Sequence, residues 1–202
     1  MKTRLVGEGA LLVETEGPAQ AQALRRLLLK QAIPDLCELI PGQDSLLIVV
    51  DPLRTDPEAL AATLPEVPEA ALSSTPHQHE FTVQYTGEDL QPLSRMLGIE
   101  PEELVRRHTA PVYTVAFLGF APGFAYLTGL DESLKLPRRA DPRTRVPAGS
   151  VAVADGYTGI YPQSTPGGWH ILGRCDAALF DPQRASPALL APGDSVRFKA
   201  LP

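Results

Sequence analysis

Three segments in the second half of the chain hold side chains able to do chemistry. The first is Gly119-Phe120-Ala121-Pro122-Gly123-Phe124-Ala125-Tyr126-Leu127, with three aromatics set among glycines and a proline. Glycine allows close backbone approach and aromatics wall apolar pockets, so Phe120, Pro122, Gly123 and Phe124 are candidate substrate contacts. A rigid turn plugging a core is the alternative. The second is Pro137-Arg138-Arg139-Ala140-Asp141-Pro142-Arg143-Thr144-Arg145-Val146-Pro147-Ala148-Gly149-Ser150. Arginines between prolines lose less entropy on gripping a carboxylate or phosphate. Arg145, next to a predicted strand at Ser150, is the first candidate and Arg143 the second. Arg138 and Arg139 fit a solvated basic loop. The third is Tyr161-Pro162-Gln163-Ser164-Thr165-Pro166-Gly167-Gly168-Trp169-His170. Gly167 and Gly168 can turn backbone N–H groups toward a ligand. Ser164 offers a hydroxyl, and His170 an imidazole, the side chain that exchanges protons near neutrality.

Other chemistries lack their signatures. No G-x-S-x-G elbow accompanies the Ser and His, which argues against an independent serine hydrolase. No Walker A string and no zinc spacing are present. His77-Gln78-His79 is an H-x-H pair without a third ligand nearby, so no metal site is expected on this chain.

Two kinds of architecture must position these segments. Strands are predicted at 4–6 and 10–14. Pro18 opens a helix, with Ala19, Ala23, Leu24, Leu27 and Leu28 on one face. Strands at 36–40 and 45–50 flank the turn at Pro41-Gly42-Gln43-Asp44. Asp56 caps a second helix with Pro57 at its first position, reaching about Leu64. This order predicts a ferredoxin-like α+β unit over residues 1–75. Residues 65–79, rich in Pro, Ser and Thr, read as a linker. From residue 80 to 202 the pattern is a strand at 81–85, helices at 88–97 and 100–108, then short strands at 112–118, 150–154, 159–161, 169–173 and 195–200. Gly- and Pro-rich turns separate them, which predicts a barrel or sandwich.

Composition narrows the setting. The chain has 202 residues and a net charge of −6, which does not suggest nucleic-acid binding. Acids dominate through Glu103, and the balance turns basic after Arg106. Cys37 and Cys175 lie far apart, so two free thiols are expected. The N-terminus lacks an apolar leader and no stretch could span a bilayer, so a cytoplasmic location is expected.

GFAPGFAYLTGL, PRTRVPAGSVAVA and TGIYPQSTPGGWHILGR together resemble the KipI family, also called allophanate hydrolase subunit 1 and associated with the B component of 5-oxoprolinase. DPLR at residues 51–54, His108-Thr109, FDPQR and PGDSVRF fit as well, so the resemblance covers most of the chain. Departures occur at Ala154-Asp155-Gly156-Tyr157, where the family has a Gly-Gly-Gln-like string, and at Cys175-Asp176, where it has Thr-Pro.

The resemblance implies a small α/β domain followed by a cyclophilin-like β-barrel. It implies a 5-oxoprolinase subunit acting with KipA-like and LamB/YcsF-like subunits, inactive without them. ATP is then a co-substrate of the complex, with no requirement that this chain bind it. The alternative the family offers is a regulatory module that inhibits a sporulation-type sensor histidine kinase. A lactam is a poor electrophile, and phosphorylating its oxygen creates a leaving group. Such a step needs cations and aimed donors, the roles expected of Arg145 and of the backbone at Gly167 and Gly168.

Overall fold

The structure is a computed structural model and describes residues 1–31, 33–72 and 77–201. It forms two compact units, 1–75 and 76–202.

In the first unit β1 (Thr3–Leu5), β2 (Ala10–Glu14), β3 (Leu36–Pro41) and β4 (Ser45–Val50) make one sheet in the order β1-β2-β4-β3, with every neighbouring pair antiparallel. Leu46, Ile48 and Val50 alternate along β4 and meet Leu11 and Val13 of β2. Helix α1 (Pro18–Lys30) lays Leu24 and Leu28 on this face. Residues four apart share a helix face, so one stripe covers the sheet. Helix α2 (Pro57–Ala61) is capped by Asp56, whose carboxylate accepts the Glu58 N–H at 2.9 Å. It ends three residues before the expected Leu64. The order departs from the ferredoxin-like expectation at one edge. There a strand following the second helix would pair with β2; here β1 takes that edge, folded back from the N-terminus as a hairpin.

The expected linker is partly structured. Glu69–Leu72 is a 3-10 turn, residues 73–76 lie outside the described residues, and β5 (Gln78–Val83) includes His79.

The second unit is mostly β. Its seven-stranded sheet runs β12-β9-β10-β7-β6-β13-β5. The strands are β5 (Gln78–Val83), β6 (Tyr113–Leu118), β7 (Ala125–Thr128), β9 (Ser150–Ala154), β10 (Tyr157–Ile160), β12 (His170–Arg174) and β13 (Ser195–Ala200). The two edges meet where Gln84 and Arg174 exchange backbone hydrogen bonds of 2.8 and 2.9 Å, so the sheet is nearly a closed barrel. A separate ribbon joins β8 (Arg143–Val146) to β11 (Thr165–Gly167). Strands β7, β8 and β11 are additions to the elements expected from the sequence.

Helices α3 (Leu90–Leu97) and α4 (Pro101–Thr109) bury Leu90, Leu93 and Leu104 in the main core. Gly98 ends α3 in the left-handed region at φ 64°, where a side chain would be strained. β9 is buried along its whole length and serves two cores. Val151 and Val153 enter the main one, while Ala152 and Ala154 face a second, aromatic cluster.

The barrel seam depends on two glycines. A Cβ on Gly87 would sit 2.3 Å from the Ile171 carbonyl oxygen, and one on Gly173 would sit 2.5 Å from that of Gln84. Backbone oxygens of paired strands cannot retreat without breaking the closure. Gly87→Ala and Gly173→Ala are expected to cost about 1–3 kcal/mol or more each. Chemical denaturation should show a lowered midpoint, and wild-type midpoints would refute the closure described.

Candidate functional site

The aromatic segment is the turn between β6 and β7. Phe120 adopts φ 68°, unusual for a residue with a side chain, and the residue is 59 % exposed. Such strain in a non-glycine residue is a recurrent mark of a functional position. The ring meets Phe124 at 5.3 Å and Tyr161 at 6.1 Å, both edge to face. Beneath it Phe124, Tyr161 and Trp169 are buried with Val146, Ala152, Ala154 and Ile171. This aromatic cluster therefore joins all three segments singled out in the sequence. Tyr161 is 2 % exposed, and burial pushes its phenol up, opposed by a hydrogen bond from the Trp169 N–H.

The second and third segments lie side by side as the β8–β11 ribbon. Thr165 is paired with Val146 and Gly167 with Arg143, with a bulge between. The Arg139 N–H donates to the Gly168 carbonyl at 2.8 Å. At one end the Arg145 Nε–H donates to Ser164 Oγ at 3.0 Å, with both residues exposed. The terminal Nη groups of Arg145 have no partner among the described residues. At the other end the His170 Nε2–H donates to the Pro137 carbonyl at 2.9 Å. A carbonyl can only accept, so Nε2 carries the proton and Nδ1 is left to exchange one. Ser164, which holds Arg145, and His170 thus stand on either side of Gly167, Gly168 and Trp169 along the chain.

The remaining candidates differ in exposure and in what they touch. Pro122 is exposed beside Phe120. Phe124 is 1 % exposed and is a packing residue of the aromatic cluster. Gly123, at φ 80°, abuts Phe180, where a Cβ would come within 2.7 Å of that side chain. Gly167 is a glycine because a Cβ there would meet the Tyr161 hydroxyl at 2.5 Å. Arg143 is not a free cation. Its Nη2 donates to Asp89 Oδ1 at 2.8 Å and to Glu88 Oε2 at 3.3 Å. Arg138 pairs with Asp155 at 2.7 Å, in an exposed contact.

Asp89 joins this region without any signal in the sequence. Its position just before α3 reads as a helix cap, yet its carboxylate makes no cap bond. It is 3 % exposed and accepts from Arg139, Arg143 and the Ile171 N–H. Burial pushes this carboxyl up, but the Arg143 hydrogen bond and the Ile171 N–H outweigh it, helped by both guanidinium charges, and hold it below its ordinary value. Its partners stand 50, 54 and 82 positions away along the chain, beyond the reach of any local motif.

The other sequence features sit elsewhere. His79 Nε2 lies 3.0 Å from Asp194 Oδ2, and no cluster of three or more metal-binding side chains occurs among the described residues. Cys37 and Cys175 are both free, the first exposed and the second buried. Among the described residues no helix is long and apolar enough to cross a membrane.

Residues 1–190 match the family model of the carboxyltransferase domain, subdomain C and D. The chain is 39 % identical to the B component of 5-oxoprolinase from Escherichia coli O157:H7, over 96 % of this chain and 93 % of that one. The crystal structure of TTHA0988 superposes with TM-score 0.83 and 38 % identity, covering 96 % of this chain but only 39 % of the longer TTHA0988 chain. Urea carboxylase of Kluyveromyces lactis shares the fold at TM-score 0.71 and 18 % identity, covering 99 % of this chain and 22 % of that enzyme.

Proposed function

Because the chain belongs to the KipI family, also known as allophanate hydrolase subunit 1 and as the B component of 5-oxoprolinase, we propose that it acts as a subunit of an ATP-dependent 5-oxoprolinase. The enzyme would convert 5-oxo-L-proline to L-glutamate. Identity of 39 % spread over nearly the full length of both chains carries this reading and favours it over kinase inhibition. The second unit is read as a cyclophilin-like barrel, and the first as a variant of the ferredoxin-like sheet with its edge strand supplied from the N-terminus.

The substrate carries a carboxylate and a lactam. Arg145, with unoccupied Nη donors, suits the carboxylate or the oxygens of a phosphoryl group in transfer. Attack of the lactam oxygen on the γ-phosphorus of ATP forms a P–O bond and releases ADP. Water then adds to the activated carbon, and the C–N bond opens as nitrogen gains a proton, leaving an acyl phosphate that a second water hydrolyses to the carboxylate and phosphate. In this reading His170 Nδ1, left free by the Nε2–H bond to Pro137, takes the proton of the attacking water or returns one to the nitrogen. The backbone of Gly167 and Gly168 and the hydroxyl of Ser164 complete the proposed face, with Phe120 and Pro122 as its apolar border.

These groups stand on an open face, with Phe120, Pro122, Ser164 and Arg145 all exposed. A small ligand held there stays in contact with water unless another chain covers it, and water weakens each electrostatic contact. That supports partner subunits, assigned here to KipA-like and LamB/YcsF-like chains; a cytoplasmic location of the complex belongs to the same proposal. Glutamate release from 5-oxoproline and ATP should be absent with this chain alone and appear when its partners are added. Full activity of the isolated chain would refute the dependence, and none in any combination would refute the activity.

A further inference from the structure

We infer that Asp89 is the positioning residue that locks the two halves of the proposed substrate face to the barrel; this rests on the placement of substrate along Arg145 and His170. One carboxylate ties three elements together. Oδ1 accepts from Arg139 Nη1 and Arg143 Nη2, each at 2.8 Å. Oδ2 accepts the Ile171 N–H at 2.7 Å, and the Asp89 N–H returns a bond to the Ile171 carbonyl at 3.1 Å. Ile171 directly follows His170, so that pair of bonds fixes the first residues of β12. Arg143 and Arg145 stand two apart on β8, on the stretch that carries the bulge in the pairing with β11. Anchoring Arg143 to Asp89 holds the backbone of the bulge from which Arg145 projects. Arg139 lies two residues from Pro137, whose carbonyl orients the His170 ring.

The geometry goes beyond ordinary packing. Asp89 opens α3 yet leaves its helix uncapped by its side chain, and its acceptor capacity goes to the ribbon. Arg143 has a second, exposed acid at hand in Glu88, 3.3 Å away. Without the buried charge the guanidinium has somewhere else to go, and its strand would follow. Both arginines already keep one buried nitrogen unpaired, Arg139 Nε and Arg143 Nη1, so Asp89 supplies the contacts that define their pose.

The test uses the assembled enzyme carrying Asp89→Asn, which keeps an acceptor for Ile171 and removes the charge. The KM for 5-oxoproline is expected to rise tenfold or more, with the KM for ATP within twofold of wild type. Amide hydrogen exchange should accelerate at residues 137–146 and 164–171 and nowhere else in this chain. Arg143→Lys, which keeps a cation but loses the fork, should shift the same KM in the same direction by less, and serves if Asp89→Asn does not assemble. A fall in kcat with both KM values unchanged in the two variants, the sign of less folded enzyme, overturns the proposal. So does unchanged exchange at the ribbon. Accelerated exchange there with normal 5-oxoproline KM in Asp89→Asn and in Arg145→Ala overturns the substrate placement itself, and the role of Asp89 with it.

Discussion

Arg145→Ala and His170→Ala, each assembled with partner subunits, are expected to lose about a hundredfold or more in 5-oxoproline-dependent turnover while melting close to wild type. The size follows from what each group does as charge develops. An aimed donor that strengthens in the transition state is worth on the order of 10²–10³ in rate. General acid–base transfer is worth about 10²–10⁴. The small effect on folding follows from the contacts. Arg145 is exposed and makes one side-chain hydrogen bond, to Ser164. Exposed substitutions of that kind change stability by roughly 0.5 kcal/mol or less. His170 gives up one bond to the Pro137 carbonyl, about 1 kcal/mol net.

The two variants should differ in kind. Arg145→Lys keeps the charge without the planar fork and should recover part of the loss. His170→Ala should flatten one limb of the pH–rate profile. A packing role predicts the opposite pattern, with lowered melting temperature and no specific loss of turnover. Near-normal turnover in both well-folded variants would remove these residues from the mechanism and leave the family assignment standing.

What is legible in the sequence follows the range of the interactions involved. Helix α1 is readable because Ala23, Leu24, Leu27 and Leu28 repeat at helical spacing, and packing obeys that spacing. The chemistry-bearing segments are readable as unusual strings, and their junction is an aromatic cluster drawn from all three. β8 is not readable, because Arg143-Thr144-Arg145-Val146 between prolines has the composition of a solvated loop. Only its pairing with β11 makes it a strand. β7 is hidden in the same way behind the glycines and proline that precede it. Residue type alone marks Phe124 and Gly167 as ligand contacts, whereas their neighbours Trp169 and Tyr161 give each a packing reason. Asp89 is invisible because a buried carboxylate is defined by its partners, and here they come from distant segments.

His108 gives the fold a pH dependence between neutrality and acid. It closes α4, after Arg106 and Arg107, where a cation would complement the helix dipole. The structure instead buries it completely between Tyr85 and Thr158. Thr158 Oγ1 donates to the Ala152 carbonyl at 3.0 Å, so it accepts from His108 Nε2–H at 2.8 Å. Nδ1 is then the acceptor, and the Tyr85 hydroxyl donates to it at 2.7 Å. The ring is neutral with both nitrogens used, and burial pushes its pKa down to about 3 from an ordinary 6.5. The unfolded chain therefore binds a proton that the folded protein refuses between those values. Stability is expected to fall as pH drops through 6.5 and to level off near 3, by up to about 1.4 kcal/mol per pH unit from this group. Carboxylates such as Glu103, held at about 2 by hydrogen bonds from Arg106 and Arg107, add their own acid dependence. A variant separates the two. His108→Gln can keep an acceptor for Tyr85 and a donor for Thr158 but cannot titrate. It loses the stacking of the ring on Phe198, at 4.8 Å, and should be less stable at pH 7. Its stability should then decline less steeply with acid, so the gap to wild type closes between pH 6.5 and 3. Denaturation curves that run parallel over that window would show that His108 does not carry the dependence.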